Sequence, residues 1–272
     1  MTRVVFLLAL AISMIGYANA QNAGNRQQGH HVGSAATTST CSFTFQSGAN
    51  NTFMKFCVTA NGNIPQFESP QGHEHINVFD ISEGYGICDL TTDGSSVSYF
   101  DYSDQGDSGN WGSPSVLSQN TNSVKIARTT LDGNWTLTQT FTRMSGTSPF
   151  AQVAMALTNN TAVDRVALLM RSADVDADGL VNNNLDSTLD SAFGWNSITT
   201  EHGYGLALQN VGNSPASLQF GIVTPTPNSP DPCNVQIQTA PEVNTDGVIL
   251  MAYGLLIPKS SSQTVKVAYR GF

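Results

Sequence analysis

Along most of this chain apolar residues recur at every second position. Val124 and Ile126 alternate with Lys125 and Ala127, and Trp135, Leu137 and Phe141 resume the pattern beyond the Asp132-Gly133 turn. Val153, Met155 and Leu157 follow, then Val166, Leu168 and Met170. Later segments of the same kind cover residues 206–208, 218–223, 248–257 and 265–269. A period of two is that of a strand with one face turned to a core. Turn-forming pairs punctuate these runs: Asn61-Gly62, Asp93-Gly94, Asp132-Gly133 and Asn159-Asn160. Beyond the first twenty residues no segment has a helical period. Short strands at such spacing predict an all-β fold, a large antiparallel two-sheet sandwich formed by residues 41–272 as a single domain. Two smaller domains are the alternative. No internal repeat supports a propeller or a solenoid. A membrane barrel wants an outward apolar band, and here Arg270 shares a face with Phe272.

The first forty residues follow other rules. Arg3, an apolar run over residues 4–15 and the small-x-small site Ala18-Asn19-Ala20 predict a signal peptide at 1–20. The run is too short to span a bilayer, which needs about twenty residues. Residues 21–40 are small, polar and aperiodic and predict a disordered leader, the pair His30 and His31 included. The expectation is therefore a secreted protein, extracellular or periplasmic, with no membrane span in its mature form.

Composition narrows the partners. Charged residues make up 11% of the chain, and 20 acidic against 11 basic residues leave a net charge of −9. No nucleic-acid partner is expected, because phosphate contact needs a basic face. The four cysteines, Cys41, Cys57, Cys88 and Cys233, predict disulfides in an exported chain. Cys41 and Cys57 flank a hairpin, CSFTF and FMKFC about Ser47-Gly48-Ala49-Asn50, which pairs them and leaves Cys88 with Cys233. That second bridge would tie down the proline-rich segment 225–232. No CxxC spacing suggests a zinc site.

Three segments in their order carry a family likeness. An early hairpin leads into Val58-Thr59-Ala60-Asn61-Gly62-Asn63-Ile64. A long hairpin joins Ser123-Val124-Lys125-Ile126-Ala127-Arg128 to Asn134-Trp135-Thr136-Leu137-Thr138-Gln139-Thr140. A strand ending in a polar pair follows, Ala154-Met155-Ala156-Leu157-Thr158-Asn159-Asn160-Thr161. Over residues 55–175 the chain resembles the galactose-mutarotase-like supersandwich group. The resemblance implies a supersandwich and a carbohydrate theme, and it carries no catalytic residue over.

The chemistry-bearing motifs lie between the strands. Asp174-Val175-Asp176-Ala177-Asp178-Gly179 alternates carboxylates with small residues and ends on glycine, the arrangement that wraps a hard cation. It predicts a calcium loop with Asp174, Asp176 and Asp178 as ligands, the Leu180 carbonyl, and Asn182 or Asp186 completing the shell. The twelfth position is Leu185 and the flanks are strands, so this is no EF-hand. His73-Glu74-His75 would place two imidazoles on one strand face, with Glu201-His202 as a further donor, although solvated loop histidines are the blander reading. The loop holding Tyr102, Asp104, Asp107, Asn110 and Trp111 has the aromatic and planar polar groups that sugars favour, and Glu83, Tyr85 and Trp195 could join it. The alternative there is an edge loop with its rings packed inward. Glu74, Glu83, Asp101 and Asp104 could pair for acid–base work on a glycosidic bond. Neither a serine nucleophile elbow nor a phosphate loop is present.

The leading reading is a secreted, non-enzymatic β-sandwich that binds carbohydrate or another surface polymer and is stabilised by calcium. A carbohydrate-active enzyme of mutarotase, lyase or hydrolase type is the second. A structural or adhesive cell-surface protein is the third.

Overall fold

The computed structural model describes residues 41–76, 83–90, 94–103, 106–196, 203–212, 217–224, 231–235 and 241–272. The signal peptide and leader expected over residues 1–40 lie outside these, as do residues 225–230 of the proline-rich segment.

The strands are β1 (Phe43–Ser47), β2 (Met54–Val58), β3 (Gln66–Glu68), β4 (Glu83–Leu90), β5 (Ser96–Tyr102) and β6 (Gly106–Asp107). Then come β7 (Ser115–Gln119), β8 (Ser123–Thr129), β9 (Trp135–Met144), β10 (Phe150–Asn159), β11 (Arg165–Asp174) and β12 (Asn183–Ser187). The last are β13 (Ser191–Trp195), β14 (Gly205–Asn210), β15 (Ser217–Thr224), β16 (Glu242–Thr245), β17 (Val248–Ile257) and β18 (Ser262–Gly271). They form a nine-stranded sheet, β16-β12-β13-β14-β18-β10-β9-β8-β7, and a six-stranded sheet, β15-β17-β11-β4-β5-β6. A small sheet, β1-β2-β3, accompanies them. Every ladder among the described residues is antiparallel. The expected all-β sandwich is the observed one.

The alternation decides which face goes in. On β9 and β10, Trp135, Leu137, Phe141, Val153, Met155 and Leu157 point into the main core. There they join Tyr85, Ile87, Leu169, Met251 and Tyr253 of the six-stranded sheet. The outward residues of β9 are threonines, Thr136, Thr138, Thr140 and Thr142. Strand β17 reads instead as a continuous apolar run, and β4 is buried at every position but its last, because their sheet is covered on both sides. Its far face carries a second cluster with Tyr102, Met170, Ile222, Leu250 and Ala252, and Val235 packs over it. That covering segment is held by Cys88–Cys233, Cα to Cα 4.9 Å. Cys41–Cys57 also forms, but diagonally, since Cys57 is in register with Thr44.

At the centre of the main core sits an ion pair. Arg171 on β11 and Glu83 on β4 are fully buried, with Arg171 Nε 2.6 Å from Glu83 Oε1. Every donor group of the guanidinium is used. Nε also meets the Tyr269 hydroxyl at 2.6 Å, Nη1 donates to Gln139 and Nη2 to the Gly62 carbonyl at 3.1 Å. The Tyr269 hydroxyl donates to Glu83, and the guanidinium lies 5.0 Å from the Phe141 ring centre. One cluster thus joins β4 and β11 of one sheet to β9 and β18 of the other. Losing one half of a buried pair strands the other charge in the core. Arg171→Leu is expected to cost about 3–5 kcal/mol of unfolding free energy in urea. The double variant Arg171→Leu/Glu83→Leu should lose less than the two singles summed; simple additivity would show that the charges do not depend on each other.

Candidate functional site

The acidic run begins where β11 ends. Val175 bridges to Ile76, and Asp174 lies in register with Val248 at the start of β17. That register brings the β16–β17 turn, with Asp246, alongside the run. Ligand oxygens of Asp174, Asp176 and Asp246 all fall within 4.8 Å of one another, with Asp174 and Asp176 only 3% and 2% exposed. Carboxylates this close repel strongly in a low-dielectric setting, and a cation relieves that repulsion. Asn183 is placed beside them. Its backbone is in register with Thr245, and its Nδ2 donates to the Val175 and Leu180 carbonyls, each at 2.6 Å. Its Oδ1 is buried and accepts no hydrogen bond among the described residues.

The other expected ligands go elsewhere. Asp178 turns to His73, Leu180 gives its carbonyl to Asn183, Asn182 is exposed, and Asp186 stands on the outward side of β12 opposite Phe193. The signal for Asp246 was only an Asp-Gly turn far downstream, and no local spacing links it to Asp174.

A second cluster surrounds Asp178. Its backbone is left-handed, φ 57°, and its N–H donates to the Glu74 carbonyl at 2.7 Å. The carboxylate contacts His73 Nδ1 at 3.0 Å and accepts from Asn196 Nδ2 at 3.0 Å. Tyr204 stacks on the His73 ring, centroids 3.4 Å apart. His75 faces the other way, fully buried, with Nε2 2.7 Å from the Ser69 carbonyl. The segment makes only isolated bridges at Glu74 and Ile76, so strand alternation does not govern it and the two imidazoles are parted. Glu201 and His202 lie outside the described residues. Between the histidines, burial pushes the Glu74 carboxyl up to about 7, against the pull of the Phe67 and Ile76 N–H groups.

The aromatic loop is strapped down. Tyr102 is 1% and Trp111 6% exposed, and the Trp111 indole meets Tyr85 and Tyr99 edge-on. Arg128 holds Asp101 and Asp107 together, with Nη2 to Asp107 at 2.7 Å, Nη1 to Asp101 and Nε to the Gly112 carbonyl at 3.0 Å. Burial lifts Asp101 to about 6, and Arg128 pulls against that shift. Asn110 is spent on the Ser98 carbonyl and on Ser108, and Asp104 lies outside the described residues. Glu83 and Tyr85 belong to the core, and Trp195 stands on β13, outside both apolar clusters. Buried Glu83 and Asp101 are each committed to an arginine.

No family model matches the chain, and no curated protein does. Solved structures do. The fold is similar to a bacterial glucoamylase complexed with acarbose, TM-score 0.54 at 10% identity, over 87% of this chain and 32% of that one. The chain therefore spans about a third of the length of that glucoamylase. It is also similar to a putative aldose 1-epimerase from Escherichia coli K12, TM-score 0.44 at 11% identity, over 85% of this chain and 99% of that one. A heparan sulfate lyase, HepC from Pedobacter heparinus, is similar with TM-score 0.45 at 11% identity, over 98% of this chain and 42% of that one. The likeness is one of fold, and it agrees with the supersandwich resemblance carried by residues 55–175.

Proposed function

We propose that this chain is an exported carbohydrate-binding β-sandwich stabilised by calcium. The observation that carries the carbohydrate reading is the shared fold with the glucoamylase, across 87% of the chain. Binding is favoured over glycosidic acid–base work because Glu83 and Asp101 are locked in core ion pairs rather than facing each other across a cleft. Two disulfides suit the oxidising compartment that the signal peptide implies. Calcium suits the acidic cluster because all its donors are oxygen and come from strand ends and turns rather than a rigid octahedron. Asp174, Asp176 and Asp246 would supply carboxylates and Asn183 its amide oxygen. The His73–Asp178 pair favours a second reading, a carbohydrate-active enzyme, since a carboxylate at Nδ1 sets the tautomer that leaves Nε2 basic. Release of reducing or unsaturated sugar ends from a polysaccharide panel, lost in His73→Ala, would establish that reading.

Two measurements test the main proposal. Calcium at a hundred times its Kd stabilises by about 2.7 kcal/mol, which raises Tm by about 5–10 °C over chelator-treated protein in a chain of this size. The shift should vanish in Asp174→Asn and in Asp246→Ala; unchanged melting with no calcium in elemental analysis defeats the ion site. Affinity electrophoresis of the mature protein in polysaccharide gels should show retardation; free migration in every neutral and acidic gel defeats carbohydrate binding.

A further inference from the structure

The outward side of the nine-stranded sheet carries an aromatic row that neither apolar core uses. Trp195 is in register with Gly205 on the next strand. Gly205 in turn exchanges both backbone hydrogen bonds with Phe272, at 2.9 and 3.1 Å. Directly paired residues project to the same side of a sheet, so Trp195, Gly205 and Phe272 make one cross-strand row. Phe272 is 48% exposed and Trp195 partly exposed. A Cβ at Gly205 would stand 2.6 Å from Trp195 Cβ and 2.7 Å from Phe272 Cζ. The Phe272 ring tip and the Trp195 Cβ thus flank the bare backbone of Gly205 on one side of the sheet. Their backbones lie two strands apart, about 10 Å, and the Phe272 ring leans across Gly205 towards Trp195.

The adjoining row, one pleat along, is Phe193, Ala207, Arg270 and Phe150. Arg270 lies over the Phe150 ring, 4.1 Å from its centre, and its Nε donates to Gln209 at 3.0 Å. Nη1 contacts Ser148, and Nη2 makes no hydrogen bond among the described residues. The guanidinium is thus held in place with one donor edge to spare. Outward positions of this sheet's strands carry Lys125, Lys266 and Arg270 against a single acid, Asp186. That is a local excess of positive charge on a chain whose net charge is −9.

We propose that this face binds an acidic polysaccharide, with Trp195 and Phe272 stacking on the sugar rings and Arg270 taking a uronate carboxylate. The assignment rests on the carbohydrate-binding reading above and names its ligand class and its place. Flat aromatic rings take the C–H face of a pyranose, and a planar guanidinium takes a carboxylate through paired N–H donors. A protein partner fits less well. Arg270 and Gln209 interrupt the rings of the two rows, Trp195 and Phe272 beside Phe193 and Phe150, whereas protein interfaces centre on a broad continuous apolar patch.

The test is binding of the mature protein to polygalacturonate, with amylose as the neutral probe. Polygalacturonate should bind and amylose should not, and raising the salt to about 1 M should weaken binding through screening. Trp195→Ala should cut affinity at least tenfold with Tm unchanged, because Trp195 contributes to neither core. Arg270→Gln should do the same, and Phe272→Ala gives an independent check should either variant melt early. Polygalacturonate binding untouched by all three variants overturns the assignment and leaves the carbohydrate reading standing. Preference for amylose overturns the acidic class. No binding to any polysaccharide overturns both.

Discussion

A charged pair in the middle of an apolar sandwich organises this molecule. Arg171 and Glu83 are diagonal neighbours on the β4–β11 ladder, and their remaining capacity reaches Tyr269 and Gln139 on the opposite sheet and the Gly62 carbonyl in a loop. Apolar contacts between two sheets tolerate sliding, because dispersion has little direction. A guanidinium with every donor assigned does not tolerate it, since each misplaced partner leaves a buried polar group unsatisfied. The ion pair therefore sets how the sheets sit on each other, and the surrounding leucines, valines and tyrosines supply most of the favourable burial.

The same device recurs nearer the surface. Arg128 gathers Asp101 and Asp107, closing β6 against β5 and turning Trp111 inward beside its own guanidinium, 5.3 Å from the ring centre. Asp89 and Arg165 repeat it at the far end of β4 and β11. Acidic side chains are thus divided between those tied to arginine in the core and those gathered at strand ends. Asp174, Asp176 and Asp246 are of the second kind, with carboxylate oxygens close enough together that they could hold a metal ion.

The fold was legible because it is written in alternation. Val124 to Ile126, Trp135 to Phe141 and Val153 to Leu157 need only their own neighbours to declare which side goes inward. Both disulfide pairings were legible as well, one from a hairpin and the other by remainder. The acidic triad was half legible: Asp174 and Asp176 announce themselves, but Asp246 joins them only through the β11–β17 register. Asp178 and His73 looked like ligands of two separate sites and instead hold each other. The aromatic loop misled because composition is silent on direction. Tyr102 and Trp111 have the chemistry of a sugar platform, yet Trp111 turns inward beside Arg128 and Tyr102 packs into the cluster on the far face of the six-stranded sheet. Trp195 and Phe272 come together on the outer face only because Gly205 between them has no side chain, a residue that by itself carries no chemistry to notice.

The two broad faces of the sandwich are not equivalent. Residues 231–235, stapled by Cys88–Cys233, cover part of the six-stranded sheet, whereas among the described residues the outward threonines of β9 stay partly exposed. A body whose two broad faces differ in this way would meet a flat or threadlike surface the same way up. Copies settling side by side along a fibre would share a common orientation, each turning its stapled flap toward the surroundings.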